Sequence, residues 1–258
     1  MHEPVFTTTV GKLRIKVYPT KEALGLAAAR HAAQSIAKAL ESEPLCNVVF
    51  STGASQFPLM AGLQEQNIPW GQVQGFHLDE YVGIDKEHSA AFRLWLRTRI
   101  EQKFNPAAFY YIEGDAPDTA AECARYAALL KEHPCHLGFI GIGENGHIAF
   151  NDPPVADFND PHWVKIVELD QASRKQQVGE GWFPNIDAVP QYAVSLTVPA
   201  IMAAQEIISV VPDARKAEAV HRALTGPIAT SCPASILRTH SNATLYLDKD
   251  SAALFRGS

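Results

Sequence analysis

The sequence lacks the features that mark membrane, secreted and nucleic-acid-binding proteins. Its 258 residues contain no run of about 18 apolar residues, and the N-terminal MHEPVFTTTV has no basic segment followed by an apolar one. Lys and Arg number 22 against 28 Asp and Glu, which gives a formal charge of −6. A protein that binds the nucleic-acid backbone needs a basic face, so we expect no nucleic acid among its partners. The lack of a long apolar run predicts that it does not interact with a membrane.

Cysteines and linker sequences are also scarce. The 4 cysteines are far apart and form neither a C-x-x-C motif nor a set with zinc-ligand spacing. They are Cys46, Cys123, Cys135 and Cys232. We therefore expect reduced thiols in a cytoplasmic protein without a metal site. The absence of internal repeats, low-complexity tracts and Gly/Ser linkers predicts a single domain over residues 1–258.

The apolar pattern favours an α/β fold. Short β-branched runs alternate with amphipathic stretches, which is typical of a mostly parallel sheet flanked by helices in three layers. Strands are predicted at residues 13–18, 47–51, 73–78, 136–142, 164–169, 192–198, 206–211 and 243–247. Helices are predicted at residues 21–41, 57–66, 90–103, 119–132, 214–224 and, more weakly, 234–238. The irregular stretch 151–162, with three prolines, is either a ligand-binding loop or an ordinary surface connection.

The first segment that could carry chemistry is STGAS, which joins a predicted strand to a helix. Thr52 and Ser55 supply hydroxyls, and Gly53 permits a close approach of the backbone. With the free N–H groups of a helix start, these residues suit an anion, above all a phosphate. The segment matches no nucleotide-binding motif, and a plain strand-to-helix turn explains it about as well.

The second segment places two carboxylates, Asp79 and Glu80, at the end of an apolar strand. Partial burial there would raise the pKa of a carboxyl group toward the range of a general base. One carboxylate could face the substrate while the other holds the loop. The alternative is that either residue caps a turn.

The third segment, GIGENGH, contains three glycines in six residues before His147. Gly143 and Gly146 indicate that the backbone passes very close to another chain segment or to a ligand. His147 follows at a strand end among acidic residues, and an imidazole there can shuttle protons near neutral pH. A lone histidine is more often structural, but this position favours a functional role.

The fourth segment, PDARKAEAV, repeats the strand-to-helix arrangement. Arg215 and Lys216 lie in the predicted first turn, where cations oppose the helix dipole. A bound phosphate would account for them. Taken alone, the segment fits a solvated surface pair better.

Together these segments resemble the glucosamine-6-phosphate deaminase/isomerase family, whose relatives include the 6-phosphogluconolactonases. The motifs are STGAS, FHLDEYVGIDKEH, GIGENGHIAFNDPP and the C-terminal run from SVVPDARKAEAV to SCPASILRTH. They follow the family's order and spacing over roughly residues 45–248. FHLDEYVGI together with GHIAFN is the specific combination.

The resemblance implies a NagB/RpiA-like, modified Rossmann fold and a cofactor-independent enzyme acting on an amino sugar 6-phosphate. In the family the motif histidine assists ring opening, which maps onto His147. The aspartate of DEY moves a proton between C2 and C1, which maps onto Asp79. The phosphate-binding residues map onto Thr52, Gly53, Ser55 and Lys216. We also place Glu80, Gly143 and Gly146 in the substrate site by their motifs.

Two departures from the family pattern stand near the histidine. Asn145 replaces the aspartate that orients and polarises the histidine, and Asp152 replaces a glutamate that is one methylene longer. With these substitutions we expect weaker polarisation of His147, because a neutral amide cannot stabilise a cationic imidazole as a carboxylate does. The stretch GEGWF also lacks the arginine usual in deaminases, for which Arg174 or a neighbour could substitute.

Two other functions remain open from the sequence. Lactone hydrolysis would use the same glycine-rich turn and histidine to activate water, although DEY and IAFN favour deamination. A non-catalytic sugar-phosphate sensor is the third alternative, but we expect no attached DNA-binding domain because about a dozen residues precede the first predicted strand. The sequence leaves open which amino sugar is used, allosteric activation and a homo-oligomeric state.

Overall fold

A computed structural model describes residues 3–255, and its strands follow the predicted order closely. The strands are β1 (Phe6–Val10), β2 (Leu13–Tyr18), β3 (Cys46–Phe50), β4 (Val73–His77), β5 (Asp79–Tyr81), β6 (Ala108–Tyr110), β7 (Leu137–Ile140), β8 (Val164–Glu168), β9 (Tyr192–Leu196), β10 (Glu206–Val211) and β11 (Ala243–Asp248). The helices are α1 (Lys21–Ala39), α2 (Phe57–Gln64), α3 (Phe92–Leu96), α4 (Gln102–Phe104), α5 (Thr119–Glu132), α6 (Gln171–Gly179), α7 (Val198–Met202) and α8 (Ala217–Thr225).

The main sheet has 8 strands in the order β1-β2-β11-β10-β7-β3-β4-β6. Its pairings are parallel except for the antiparallel pair of β1 and β2. The mostly parallel sheet of the sequence prediction is therefore confirmed. A second sheet, β5-β9-β8, is antiparallel and has 3 strands, an arrangement that the sequence did not predict.

Apolar clusters cover the main sheet on both faces. Val48 and Phe50 of β3 join one cluster, and Val49 between them joins the other, because successive strand side chains point to opposite faces. Helices α1 and α2 contribute to the cluster of Phe50, whereas α5 and α8 contribute to the cluster of Val49. This gives the predicted three layers, with a sheet buried on both sides.

Helix α1 shows how local sequence sets the boundaries. Thr20 accepts a hydrogen bond from the Ala23 N–H at 3.2 Å, as an N-cap residue does, and Glu22 lies in the positive first turn. Leu24 and Ile36 of this helix are fully buried. Among the helices in residues 3–255, none has the length and apolar character needed to cross a membrane.

Several predicted elements differ from the structure. The predicted helix 90–103 starts only at Phe92 and contains a π-helical turn, Arg97–Glu101. The predicted helix 214–224 begins as a 3₁₀ turn, and the segment 234–238 lies within a 3₁₀ helix, Pro233–Thr239. The sequence analysis missed β1, β5, β6, α6 and α7. Residues 151–162 are irregular, as predicted.

The fold brings the four chemically interesting segments to one edge of the sheet. They follow β3, β4, β7 and β10, whose carboxyl ends point the same way because these strands are parallel. In open α/β sheets this edge is where ligands bind.

Candidate active site

A cavity lies at this edge and is lined by residues of all four segments. The lining residues are Ser51, Thr52, Gly53, Ala54, Ser55, Gln56, Leu78, Asp79, Phe92, Gly141, Ile142, Gly143, His147, Ala149, Phe150, Gln176, Gln177, Glu180 and Lys216. The structure thus brings together seven of the predicted site residues. Asn145, Asp152, Glu80 and Gly146 lie outside the lining.

The turn after β3 has the geometry of an anion site. Gly53 has a φ of +94°, a conformation that favours glycine because a Cβ atom is strained there. Residues Ala54–Gln56 form a 3₁₀ turn that leads directly into α2. The start of the helix therefore offers backbone N–H groups beside the hydroxyls of Thr52 and Ser55.

The turn after β10 follows the same path. Asp213 has a φ of +80°, and the 3₁₀ turn Ala214–Lys216 then leads into α8. The Asp213 N–H donates a hydrogen bond to Asp248 Oδ2 at 3.0 Å, which helps to hold this strained residue. Two turns of the same conformation, each a positive-φ residue followed by a 3₁₀ turn and a helix, therefore lie at the edge of the sheet. One follows β3 and the other follows β10.

Lys216 brings a buried cation into the cavity. Its residue surface is 2% exposed, and no carboxylate of residues 3–255 lies within 4.0 Å of its ammonium. Burial lowers the pKa of Lys216, an effect that Glu180 and Glu144 oppose. A buried ammonium without a paired carboxylate is costly unless an anion joins it, so this position suits an anionic ligand.

Asp79 and Glu80 have separate positions. Asp79 lines the cavity, and burial together with the charge of Glu80 raises its pKa well above the usual range. Glu80 points away from the cavity and accepts hydrogen bonds from the N–H groups of Tyr81 (2.9 Å), Phe92 (3.1 Å) and Arg93 (2.7 Å). It therefore caps the start of α3, whose Phe92 lines the cavity. Because its oxygens are occupied by backbone donors, the predicted substrate contact of Glu80 does not fit its position.

His147 lines the cavity, and its Nδ1 contacts two side chains of the protein. Its Nδ1 lies 2.9 Å from Asp152 Oδ1 and 2.9 Å from the hydroxyl of Ser173. Ser173 in turn donates a hydrogen bond to Asp152 Oδ1 at 2.5 Å. Because the Ser173 hydroxyl uses its hydrogen in the bond to Asp152, it can only accept a hydrogen bond at Nδ1. Nδ1 therefore carries a proton, and Nε2 is the nitrogen available to a substrate.

Gly143 is required by the imidazole. A Cβ atom at this position would overlap the His147 ring, since the ring packs flat on the glycine. Gly146 has a different reason for being glycine: its φ is +89°, and a Cβ atom would lie 2.7 Å from Cys232 Sγ. Gly146 therefore shapes the turn from outside the cavity rather than contacting a ligand.

Asn145 does not contact the imidazole as the family pattern predicts. Its Oδ1 accepts a hydrogen bond from the backbone N–H of His147 at 3.0 Å. Its Nδ2 donates to Asp152 Oδ1 at 2.9 Å and lies 3.4 Å from Asp170 Oδ2. The carboxylate that meets the imidazole is that of Asp152, which reaches Nδ1 at 2.9 Å despite its shorter side chain. The weaker polarisation of His147 expected from the sequence stays a prediction.

Asp152 is a fully buried carboxylate with several donors. Burial acts to raise its pKa, but hydrogen bonds from His147, Asn145 and Ser173 outweigh burial and hold the pKa below its usual value. The backbone N–H of Asp170 adds a contact to Oδ2 at 3.2 Å at the start of α6. Asp152 is thus held as an anion beside His147.

Helix α6 supplies the site residues that the sequence analysis missed. Ser173 contacts the His147 and Asp152 pair, while Gln176, Gln177 and Glu180 line the cavity. Asp170 before the helix accepts a hydrogen bond from the Ala172 N–H at 3.5 Å and is the one N-cap signal that could have indicated α6.

Arg174, suggested from the sequence as a substitute for a family arginine, does not line the cavity. Its guanidinium donates hydrogen bonds to the backbone carbonyls of Ile186 and Val189.

Comparison with known proteins shows which family this sequence matches. The family described as glucosamine-6-phosphate isomerases/6-phosphogluconolactonase matches residues 19–246. The chain is 31% identical over 229 residues to a glucosamine-6-phosphate deaminase of Listeria innocua, covering 89% of this chain and 96% of the relative. Another such deaminase, from Lactobacillus delbrueckii subsp. bulgaricus, is 32% identical, with 86% and 92% of the two chains covered.

Solved structures show the same fold. The structure of a monomeric glucosamine-6-phosphate deaminase of the NagB superfamily superimposes with a TM-score of 0.84 at 28% identity, covering 93% of this chain and 99% of the other. A 6-phosphogluconolactonase from Thermotoga maritima gives a TM-score of 0.74 at 17% identity, with 94% and 100% covered. The second likeness concerns the fold alone.

Proposed function

The chain belongs to the glucosamine-6-phosphate isomerase/6-phosphogluconolactonase family, and on this premise we propose that it converts glucosamine 6-phosphate and water into fructose 6-phosphate and ammonia. One observation supports the proposal most: Asp79, His147 and the buried Lys216 line one cavity. A carboxylate base, an imidazole and an anion-binding ammonium are the groups that this reaction needs.

The phosphate binds between the two strand-to-helix turns. Lys216 supplies the charge, and the turn of Thr52, Gly53 and Ser55 supplies N–H and hydroxyl donors. A dianion is well matched to this set because helix starts carry positive partial charge. The phosphate then fixes the sugar's position relative to Asp79 and His147.

His147 opens the ring. A proton leaves the C1 hydroxyl and a proton reaches the ring oxygen, so the C1–O5 bond breaks and an aldehyde forms at C1. Nε2 of His147 carries the proton, while Asp152 and Ser173 hold Nδ1–H and stabilise the charged ring during the transfer.

Asp79 then moves a proton between carbons. Its carboxylate removes the C2 proton and a C1–C2 double bond forms. The C1 carbonyl oxygen takes the proton that the C2 ammonium releases and becomes a hydroxyl. Return of the proton to C1 leaves an imine at C2, to which water adds and from which ammonia departs. The raised pKa of Asp79 suits this role because a stronger base abstracts a proton from carbon more readily.

The four free cysteines fit the reducing cytoplasm, which we propose as the protein's location. A sugar phosphate is then the small-molecule partner.

The test is an assay of ammonia and ketose phosphate release from a panel of amino sugar 6-phosphates, with 6-phosphogluconolactone as a separate substrate. Release of both products in equal amounts is expected, together with exchange of the C2 proton with solvent. Hydrolysis of the lactone without ammonia release from any amino sugar phosphate would overturn the proposal in favour of lactonase activity, which needs no carbon base.

A further inference from the structure

Arg215 lies at the mouth of the active-site cavity in a loosely held position. Its Nη1 is 3.6 Å from Glu180 Oε1 and 3.8 Å from Glu144 Oε1, and its side chain is 35% exposed. Both distances exceed the length of a hydrogen bond. Within residues 3–255, the guanidinium has ion-pair neighbours but no hydrogen-bond acceptor.

The position of Arg215 connects it to the same ligand space as Lys216. The two residues are adjacent on the 3₁₀ turn Ala214–Lys216, and Glu180 lines the cavity that Lys216 lines. Arg215 also lines a neighbouring cavity of about 440 Å³, and Gln176 forms a wall of both. Arg215 therefore borders two side chains of the active-site wall, Glu180 and Gln176.

The charge of a phosphate monoester requires more than Lys216 provides. Such a group carries −1.5 to −2 charges at about pH 7. Of the described residues that line the cavity, Lys216 is the one Lys or Arg, and burial lowers its pKa. A guanidinium at the mouth supplies the second charge, and its planar fork matches two phosphate oxygens.

Other arginines nearby are committed elsewhere. Arg174 donates to two backbone carbonyls, as described above. Arg222 of α8 lies 3.9 Å from Glu218 and 3.5 Å from the backbone carbonyl of Glu144. Of these three arginines, Arg215 is the one that makes no hydrogen bond within residues 3–255.

We infer that Arg215 is the second cation for the substrate's phosphate, and that Glu144 and Glu180 hold its guanidinium at the cavity mouth until the phosphate arrives. The inference rests on the proposed function for the chemical class of the ligand. It also explains a carboxylate in an anion-binding cavity: Glu180, fixed by Gln176 (2.9 Å) and Trp182 (3.2 Å), orients the arginine.

The test compares Arg215→Ala and Arg215→Lys with the control Arg14→Ala, the same change at a half-exposed arginine of β2 that lines neither cavity. Calorimetry measures the binding of 2-amino-2-deoxyglucitol 6-phosphate, an open-chain analogue, and of the same compound without phosphate. We expect Arg215→Ala to weaken the phosphorylated ligand about 10-fold or more, since hydrogen bonds to charged groups are strong. Arg215→Lys loses the fork and weakens it less. Arg215→Ala should bind the unphosphorylated ligand as the wild type does. Arg14→Ala should bind both ligands at wild-type values.

Unchanged binding of the phosphorylated analogue by Arg215→Ala overturns the inference, as does an equal loss for both ligands. Thermal melting of each variant shows that the fold is kept. If the wild type releases no ammonia but Arg215→Ala selectively weakens the phosphorylated ligand, the proposed reaction fails and the inference stands. If ammonia is released normally while Arg215→Ala binds like the wild type, only the inference fails.

Discussion

The side-chain amide of Asn145 donates a hydrogen bond to Asp152 Oδ1 across 2.9 Å, and the same oxygen lies 2.9 Å from His147 Nδ1. The residue that departs from the deaminase pattern therefore acts on the carboxylate that holds the imidazole. Asp170 Oδ2 lies 3.4 Å from the same amide nitrogen, so Asn145 bridges two carboxylates. An amide is the group that can donate to both.

This relationship predicts that Asn145→Asp lowers turnover. The substitution removes a donor and places a third carboxylate beside Asp152 and Asp170. We expect a loss of kcat of at least about 10-fold, because a hydrogen bond to a charged group contributes about 1.5–3 kcal/mol. The loss should shrink as the pH is lowered, since the introduced carboxyl group can donate a hydrogen bond again once it is protonated. Steady-state kinetics over about pH 5–8, the range in which a histidine changes its charge, measures both effects.

The control is Asn159→Asp, the same chemical change at an exposed position in the irregular loop. It should leave kcat unchanged. Higher turnover by Asn145→Asp would instead support the sequence-based hypothesis that His147 is poorly polarised.

A second prediction concerns Ser173, whose hydroxyl contacts both His147 and Asp152. Ser173→Ala removes the lone pair that fixes the proton on Nδ1 and one donor to Asp152. We expect kcat to fall about 10-fold, by the magnitude of one charge-assisted hydrogen bond, with little change in the binding of phosphate. Ser173→Thr, which keeps a hydroxyl, should retain more activity than Ser173→Ala.

Ser209→Ala is the matched control because Ser209 is also fully buried but lies outside the cavity lining. It should match the wild type in kcat and in the pH profile. A Ser173→Ala enzyme with an unchanged kcat and an unchanged pH profile would show that the hydroxyl only fills space.

The role of Ser173 also shows where prediction from sequence stops. Helix α6 buries two polar residues, Ser173 and Gln177, so it has no apolar stripe that periodicity could detect. The strands β5 and β6 have 3 residues each, which is too short for an alternating pattern. By contrast, β2 and β10 have the predicted bounds because their apolar runs end sharply at turn residues.

For the candidate site, the sequence predicted which segments meet but not where individual side chains point. Asp79, His147 and Lys216 each follow an apolar strand, and the parallel sheet brings such strand ends together whatever their separation in sequence. Side-chain direction is not encoded in that rule. Consequently the sequence could not decide that Asp79 enters the cavity while Glu80 turns to the start of α3, or that Asp152 rather than Asn145 meets the imidazole.

A third prediction uses the buried carboxylate of Glu80. Burial raises its pKa to about 7, although backbone N–H groups of Arg93, Tyr81 and Phe92 act in the opposite direction. The folded protein thus binds this proton more tightly than the unfolded chain, whose Glu titrates near about 4.3. Its contribution to stability is complete below about pH 4.3 and is lost as the pH rises through about 7.

Glu80→Gln should remove this dependence. The unfolding free energy of the wild type minus that of the variant should fall by about 3 kcal/mol between about pH 4.3 and about pH 7.5, at about 1.36 kcal/mol for each pH unit of the shift. Urea unfolding at several pH values measures it. His77, whose pKa burial lowers to about 3, acts in the opposite direction over part of this range and cancels in the difference between the two proteins. Asp79 does not cancel, because Glu80→Gln also lowers its pKa, so the comparison is made between Asp79→Asn and the double variant Asp79→Asn/Glu80→Gln.

Glu43→Gln, a change at an exposed position, serves as the control and should give a difference that does not vary with pH. A flat difference for Glu80→Gln as well would show that the Glu80 carboxylate titrates alike in the folded and unfolded states.

A fourth prediction concerns Asp79 as the carbon base. Asp79→Asn keeps the shape of the side chain but removes its ability to accept a proton, so we expect kcat to fall by at least about 100-fold, the lower end of a general-base contribution. Binding of 2-amino-2-deoxyglucitol 6-phosphate should change little, because the phosphate is held by the turns after β3 and β10. Steady-state kinetics and calorimetry on the same preparation measure the two effects.

The pH profile and proton exchange separate Asp79 from the other groups of the site. Its raised pKa, caused by burial and by the charge of Glu80, places the acidic limb of the wild-type rate profile above the usual range for a carboxylate, with activity rising as Asp79 loses its proton. Glu80→Gln removes the neighbouring charge and should move this limb to lower pH, a displacement that a purely structural role of Asp79 would not produce.

Exchange of the C2 proton with deuterium, followed by NMR, tests the base directly. His147→Ala should still allow exchange in an open-chain substrate, whereas Asp79→Asn should abolish it. Exchange by Asp79→Asn at the wild-type rate would assign the proton transfer to another group.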